Sequence, residues 1–228
     1  MKRFSLLLAV LIGALCCSPV AAQEADEESV KDFMEVGIYG GGALPMSSLS
    51  DWSVTTEGVT EKIGARFGFN VGFDVGHFLT PSLVVGVTMN YAQFGIEADE
   101  AEPRSMNHRL ISPAAYVKYY FQGESNFLPY IKGHAGVDVV KFATRVYDGN
   151  IPGYEYRELS YNPAFAFGVG GGLFYYTFDY GGLYAEANYH TALTKDVEGD
   201  YGDLAYPFGE TAGVIDIHAG IKVFFGGD

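Results

Sequence analysis

The stretch Gly213-Val-Ile-Asp-Ile-His-Ala-Gly-Ile-Lys-Val-Phe-Phe225 alternates between two kinds of side chain along its whole length. Its odd-numbered positions from Ile215 onward are all apolar, whereas its even-numbered positions include Asp216, His218 and Lys222. A period of two residues predicts a β-strand with two unlike faces. In a soluble barrel the apolar face would point inward. In a membrane barrel it would point outward to lipid, and the charged face would line the lumen.

Residues 1–22 have the three parts of a secretory signal peptide. Lys2 and Arg3 precede an apolar run over residues 4–15, and Val20-Ala21-Ala22 supplies small residues for cleavage. The apolar run is too short to span a membrane as a helix. We expect residues 1–22 to be removed on export, residues 23–32 to form a flexible acidic leader, residues 33–225 to form one domain and residues 226–228 to form a short tail.

Composition narrows the possible classes of protein further. Both cysteines, Cys16 and Cys17, lie in the signal peptide, so the exported part has none with which to form disulfides. A net charge of −14 without a basic patch argues against binding to nucleic acid. After the signal peptide no apolar run is long enough for a membrane helix, whereas 30 glycines, 17 tyrosines and 17 phenylalanines are typical of a β-barrel.

Seven further segments alternate in the same way as the opening stretch. With it they predict eight strands, at 33–43, 64–76, 83–94, 108–121, 128–143, 161–178, 183–193 and 213–225. The connections are in turn long and short, and the long ones are expected at 44–63, 95–107, 144–160 and 194–211. This rhythm predicts an all-β, eight-stranded antiparallel up-and-down barrel with both ends of the domain at the short-turn rim.

The two faces of the predicted strands differ in charge. One face is apolar and carries no charge at its central positions. The opposite face carries three histidines, His134, His190 and His218, and a set of acids and bases: Glu35, Arg66, Asp74, Lys118, Lys132, Asp138, Glu186, Asp216 and Lys222. Four bases against five acids is nearly balanced, as a narrow lumen requires, because buried charges need partners. We therefore predict a lumen charge network made of these nine residues.

Aromatic residues cluster near the predicted strand ends, which also favours a membrane barrel. One expected girdle, near the short turns, includes Phe78, Phe127 and Phe225, and the other, near the long loops, includes Phe67 and Phe94. Such girdles lie at the two surfaces of a bilayer. We therefore predict that the apolar faces contact lipid and that the barrel spans a membrane.

This pattern resembles the small bacterial outer-membrane barrels of the OmpX and OmpA transmembrane-domain type. The resemblance rests on the signal peptide, the eight alternating strands, the segment Gly72-Phe-Asp-Val-Gly-His-Phe-Leu-Thr-Pro-Ser-Leu83 and the aromatic end of the last strand. It implies export through the Sec route to the outer membrane, with outer-membrane lipid, lipopolysaccharide and the barrel-assembly machinery as partners. It also implies that Ile221, Val223 and Phe225 form the signal by which that machinery recognises the chain.

For function, the leading hypothesis is a non-enzymatic barrel with a salt-bridged lumen, in a structural or adhesive role, whose long loops could bind an external protein. A narrow channel or small-solute transporter is the alternative. A lipid-modifying enzyme is a weaker one. The eight-stranded outer-membrane lipid A deacylases place a His and a Ser two residues apart, but here Ala192 follows His190 at that spacing and the alternation places His190 inside, so the nucleophile is missing. No catalytic, cofactor-binding or metal-binding residue is predicted, because the histidines have no metal-ligand spacing.

Overall fold

The computed structural model describes residues 33–47, 49–51, 53–56, 59–62, 64–96, 107–123, 125–147, 154–160, 162–194 and 211–226. The predicted signal peptide, the acidic leader and all but the first residue of the tail lie outside these ranges. The strands in the described part are β1 (Met34–Ser47), β2 (Ser53–Thr56), β3 (Val59–Lys62), β4 (Ala65–Phe78), β5 (Leu83–Ile96), β6 (Asn107–Tyr120), β7 (Phe127–Tyr147), β8 (Tyr154–Ser160), β9 (Ala164–Phe178), β10 (Gly181–Leu193) and β11 (Thr211–Phe225).

Eight of these strands close into an antiparallel barrel, in the order β6, β5, β4, β1, β11, β10, β9 and β7, and β7 pairs back to β6. The first and last strands are neighbours over their whole length, from Met34↔Phe225 to Ser47↔Ala212. Closure leaves no long strand of the barrel with a free edge. The predicted fold class, an eight-stranded antiparallel up-and-down barrel, is therefore confirmed.

Two of the connections predicted as long loops contain further strands, so the expectation of plain loops there is wrong. β2 and β3 form a separate hairpin within 44–63, with Ser53 opposite Lys62. β8 pairs with the end of β7, from Lys141↔Ser160 to Tyr147↔Tyr154, and this hairpin occupies most of 144–160. These segments lack the long one-sided apolar alternation that identifies the wall strands, which is why the sequence did not reveal them.

The outside of the barrel wall is apolar and the inside is polar. Large apolar side chains are exposed along the wall strands, among them Ile38, Phe69, Val71, Val87, Phe165, Val169, Ile217 and Ile221. The buried residues inside include carboxylates, lysines, asparagines and histidines. Because an apolar belt of this size is unfavourable in water, and lipid requires one, this arrangement is that of a membrane-spanning barrel. In the described part of the chain no helix is long and apolar enough to cross a membrane.

Exposed aromatic residues lie at the short-turn rim on the side of the barrel from β7 to β11, where Phe127, Phe178, Tyr180 and Phe225 all point outward. Two residues assigned to the girdles lie inside instead. Phe78 pairs with the lumen-facing Val84 and packs in the interior core, and Phe94 is buried inside near the long-loop rim. An aromatic residue near a strand end does not by itself reveal its face. The strand register decides that, and it places both rings inside.

Candidate functional site in the lumen

The structure places eight of the nine predicted lumen residues inside the barrel: Glu35, Asp74, Lys118, Lys132, Asp138, Glu186, Asp216 and Lys222 are all buried. Alternation along the wall strands sends every second side chain inward, so these residues from six different strands meet in a narrow interior. They form three successive groups, which are described in turn from the short-turn rim.

The turn-side network consists of Glu35, Asp74, Lys118 and Lys222. Lys118 Nζ lies 2.5 Å from Glu35 Oε1 and 3.6 Å from Asp74 Oδ2. Lys222 Nζ lies 3.5 Å and 3.4 Å from the same two oxygens. Each lysine thus contacts both acids, and the side chains of Glu35 and both lysines have no exposed surface. Two acids and two bases neutralise each other, which is the arrangement that makes burial of four charges tolerable.

Four tyrosines surround the turn-side network and fill the space around it. The hydroxyls of Tyr116 and Tyr120 donate to Glu35 at 2.8 Å and 2.7 Å, and that of Tyr184 donates to Asp74 at 3.2 Å. The ring of Tyr184 also lies under Lys222, with Nζ 4.5 Å from its centroid. The fourth, Tyr130, lies on the side of the next group. These contacts satisfy both oxygens of Glu35 and Oδ1 of Asp74, whereas Oδ2 of Asp74 has only the two lysines at ion-pair distance.

The middle network is centred on Glu186. Lys132 Nζ donates to Oε1 at 2.8 Å, the Tyr130 hydroxyl donates to Oε2 at 2.7 Å, and Asn188 Nδ2 donates to Oε1 at 2.8 Å. His218 Nε2 is 3.6 Å from Oε1, and its ring stacks on Tyr39 with the centroids 4.1 Å apart. Glu186 therefore has partners on both oxygens despite being fully enclosed.

Glycines on β9 make room for large side chains in the lumen. A Cβ added at Gly172 would lie 2.5 Å from the Tyr130 hydroxyl, and one added at Gly168 would lie 2.5 Å from the His134 ring. One added at Gly170 would collide with Asn188. The inner face of β9 therefore carries almost no side chains here, and large side chains from neighbouring strands occupy that space.

The loop-side network contains a chain of three residues and a separate pair. His190 Nε2 lies 2.6 Å from Asp138 Oδ2, and His190 Nδ1 lies 3.1 Å from His134 Nε2. Nearby, Asn70 Nδ2 donates to Asp216 Oδ1 at 3.1 Å. The acid-to-histidine geometry is that of a proton relay, in which the carboxylate orients one ring and that ring contacts the next.

A small polar cavity of about 30 Å³ separates the middle and loop-side networks. Its walls include Ser112, His134, Asn188, His190, Asp216 and His218. Several of the polar atoms here have no protein partner, including Ser112 Oγ, His134 Nδ1 and Asn188 Oδ1. A cavity of this size holds one or two water molecules, which would satisfy those atoms, and it is too small for an organic substrate. Within the described ranges, no group of three or more His, Cys, Asp or Glu residues is placed to hold a metal ion.

Arg66 is the exception among the predicted lumen residues, because it is exposed on the outer wall. The register between β4 and β5 shifts between Ala65 and Gly68, so Arg66 and Phe67 form a bulge and both lie outside, while Ala65 is buried. A bulge inserts one extra residue and reverses the parity of everything beyond it. The described lumen therefore holds five acids and three lysines, and histidine and asparagine partners serve the two remaining acids.

An aromatic plug closes the interior at the short-turn rim, which the sequence analysis did not foresee. It consists of Phe78, Tyr120, Phe174, Tyr176 and Phe224. The rings of Phe174 and Phe224 meet edge to face at 5.2 Å, and Phe78 lies 5.8 Å from Phe224 and 6.1 Å from Tyr120. The alternation of the sequence predicts that Phe174 and Phe224 point inward. Only the closed barrel shows that rings from four strands meet.

The residues of the predicted assembly signal lie at the short-turn end of β11. Ile221 and Phe225 are exposed on the outer wall, and Val223 between them is partly exposed on the same face. Their role in assembly stays a prediction.

Comparison with solved structures finds outer-membrane proteins. The crystal structure of Neisserial surface protein A is 16% identical, covers 84% of this chain and 97% of its own, and has a TM-score of 0.49. The outer membrane protein OprG from Pseudomonas aeruginosa is 15% identical, with 88% and 100% covered and a TM-score of 0.48. The attachment invasion locus protein Ail of Yersinia pestis is 18% identical, with 82% and 97% covered and a TM-score of 0.41.

No protein-family model matches the chain, and neither does any curated protein sequence. At these identities and TM-scores the likenesses do not specify a function for this chain. The functional argument therefore rests on the geometry of its own lumen and wall.

Proposed function

We propose that this chain is a non-enzymatic integral protein of the bacterial outer membrane, with a closed barrel that anchors and displays the connections at its long-loop rim. The observation that carries the proposal is the turn-side network, in which Glu35, Lys118 and Lys222 have no exposed side-chain surface. A conducting pore needs charges that face water. Here the charges face one another, and four tyrosines pack around them.

The dimensions of the fold support a closed lumen. An eight-stranded barrel is only wide enough for its own side chains to fill it. The aromatic plug forms a second barrier on the short-turn side of the same network. A solute would have to displace both layers, and displacing the first would break ion pairs that are shielded from water.

The Asp138–His190–His134 chain does not change this conclusion. A relay of this kind could activate a nucleophile, and Ser112 lines the same cavity. The cavity holds about 30 Å³, however, so a lipid or peptide bond could not reach the serine. The chain is therefore part of the hydrogen-bonded lumen and not a site of acyl transfer.

A role at the cell surface follows from the closed lumen. If nothing passes through the barrel, its function lies in the wall, which would contact outer-membrane lipid and lipopolysaccharide, and in the long connections, which could bind an external protein. The barrel-assembly machinery is the expected partner during insertion, through Ile221, Val223 and Phe225. The alternative, a narrow channel or small-solute transporter, requires the turn-side network to open.

Single-channel recording in a planar bilayer tests the closed lumen. We expect no reproducible discrete steps from the parent chain. We expect none either from a variant without the aromatic plug (F78A/F174A/F224A), because the turn-side network remains. Discrete steps in the parent that disappear on altering Lys118 or Asp138 would overturn the proposal in favour of a channel.

The membrane location has a separate test. The folded barrel should require detergent or lipid and should migrate differently in gels before and after boiling. A mature chain that is soluble without detergent, with identical migration in the two samples, would overturn the membrane assignment.

A further inference from the structure

The Asp138–His190–His134 chain is held in one geometry inside the barrel. The rings of His134 and His190 stack with their centroids 5.4 Å apart and their planes 15° from parallel. His134 packs against β9 at Gly168, where an added Cβ would lie 2.5 Å from its ring. Asp138 and His190 are both buried. Packing on several sides therefore keeps the nitrogen and oxygen atoms of the chain aligned for hydrogen bonding.

The chain has room for either two or three N–H hydrogens without any movement of its heavy atoms. With two, His190 donates from Nε2 to Asp138 Oδ2 across 2.6 Å, and His134 donates from Nε2 to His190 Nδ1 across 3.1 Å. With three, His190 donates from both nitrogens and His134 Nε2 accepts, so the hydrogen of His134 lies on Nδ1. The two arrangements differ by one proton, and in the second His190 carries its positive charge.

His134 Nδ1 is where this proton can enter or leave. This atom is buried and has no hydrogen-bond partner in the described part of the protein, and His134 lines the polar cavity of about 30 Å³. Ser112 Oγ and Asn188 Oδ1 line the same cavity and likewise have no partner there. A water molecule in such a cavity can donate to a bare Nδ1 or accept from a protonated one. Both forms of His134 are therefore satisfied from the cavity.

The local charge balance is suited to a proton on His190. In the described lumen the three lysines contact acids of the turn-side and middle networks. The loop-side network instead contains Asp138 and Asp216, which contact His190 and Asn70. A positive charge on His190 offsets one of these two buried negative charges. The other titratable or charged groups that face the chain are Lys132 on β7, Glu186 on β10, His218 on β11, and His108 and Arg109 on β6.

We propose that the loop-side network is a binding site for one proton, which is held on His190 between Asp138 and His134. A proton delivered by water in the cavity binds to Nδ1 of His134, and the hydrogen on Nε2 of His134 passes to Nδ1 of His190. No bond between heavy atoms changes, and the charge of the network rises by one. The site makes the interior of the barrel sensitive to pH. It does not depend on the proposed role at the cell surface, because its ligand comes from water.

Nitrogen NMR of isotopically labelled histidine tests this site directly. The full exported chain is folded in nanodiscs and equilibrated at each pH from about 9 to about 5, which covers the range in which histidine titrates. We expect a single step in which His190 gains a hydrogen at Nδ1 while the hydrogen of His134 moves from Nε2 to Nδ1. The variants H134Q and H190Q assign the signals. Two independent steps in which each ring gains its own second hydrogen, or no change in either ring, would overturn the proposal.

D138N tests the role of the carboxylate at nearly constant side-chain size. His190 in this variant should remain neutral at the midpoint of the parental step, because the partner of its Nε2–H no longer carries a charge. A D138N barrel that keeps the parental step would overturn the assignment of Asp138. If D138N does not insert, as read from the gel shift on boiling, the parental spectrum still decides the proposal.

Two histidines outside the chain supply controls. H77Q removes an exposed histidine from the outer wall near the short-turn rim and should leave the step and its midpoint unchanged. H218Q removes a histidine that lines the cavity but is not part of the chain, and it should keep the single coupled step. Loss of that step in H218Q would move the proton to His218 and overturn the site. Each of these outcomes leaves the outer-membrane assignment standing, because the gel shift measures insertion separately.

Discussion

Replacing Glu35 by glutamine (E35Q) removes one charge from the turn-side network while keeping the size of the side chain. Glu35 accepts hydrogen bonds from Lys118, Tyr116 and Tyr120 at 2.5, 2.8 and 2.7 Å, and Lys222 lies 3.5 Å away. In E35Q, two fully buried ammonium groups would share Asp74 alone, at 3.6 Å and 3.4 Å. The lumen would then contain an uncompensated positive charge.

The expected loss of unfolding free energy is about 3 kcal/mol. Removing one member of a buried ion pair costs about 3–5 kcal/mol, and the lower end applies because Asp74 remains. The double variant E35Q/K118M should recover much of this loss, since it removes the uncompensated charge as well. Urea unfolding of the barrel in lipid vesicles, followed by intrinsic fluorescence, measures both changes.

Asp51 supplies the control, because it is an exposed acid near the long-loop rim. D51N should change the unfolding free energy by less than about 0.5 kcal/mol. A loss below about 1 kcal/mol in E35Q would refute the reasoning. The single variant K118M completes the comparison. If the loss in E35Q/K118M equals the sum of the losses in E35Q and K118M, the reasoning is also refuted, because the stability of the network would then not depend on charge pairing.

Three further predictions concern the wall, the packing and assembly. V71K places a charge at the middle of β4, where Val71 is 47% exposed. If the wall faces lipid, the unfolding free energy should fall by about 2–4 kcal/mol. A change near zero in urea unfolding would place that face in water. G172A forces a Cβ to within 2.5 Å of the Tyr130 hydroxyl and should lower stability by about 1–3 kcal/mol. The matched G133A has open space and should leave the urea midpoint nearly unchanged. F225A should reduce the amount of heat-modifiable barrel in outer-membrane fractions, whereas F127A, a similarly exposed aromatic at the same rim, should not; equal yields would remove Phe225 from the assembly signal.

The number and order of the wall strands could be predicted from the sequence because alternation is a local property. Each wall strand has lipid on one side and a polar interior on the other, so every second residue is apolar. The inward position of Glu35, Lys118 and Glu186 follows from the same parity, without any knowledge of their partners. The strands β2, β3 and β8 carry no comparable alternation and were missed.

Which side chains meet across the lumen was decided only by the closed barrel. Glu35 and Lys118 are far apart in the sequence, and their contact depends on the order and register of β1, β4, β5 and β6.

The bulge at Arg66 shows the limit of reading faces from the sequence. One inserted residue reverses the parity beyond it, so a predicted lumen cation lies outside, and nothing in the local pattern marks that reversal. The opening stretch, 213–225, therefore determined that there are two faces and which of them is apolar. The tertiary structure decided that Lys222 meets Glu35 and Asp74, and that Phe224 closes the barrel beneath them, because those contacts depend on residues from other strands.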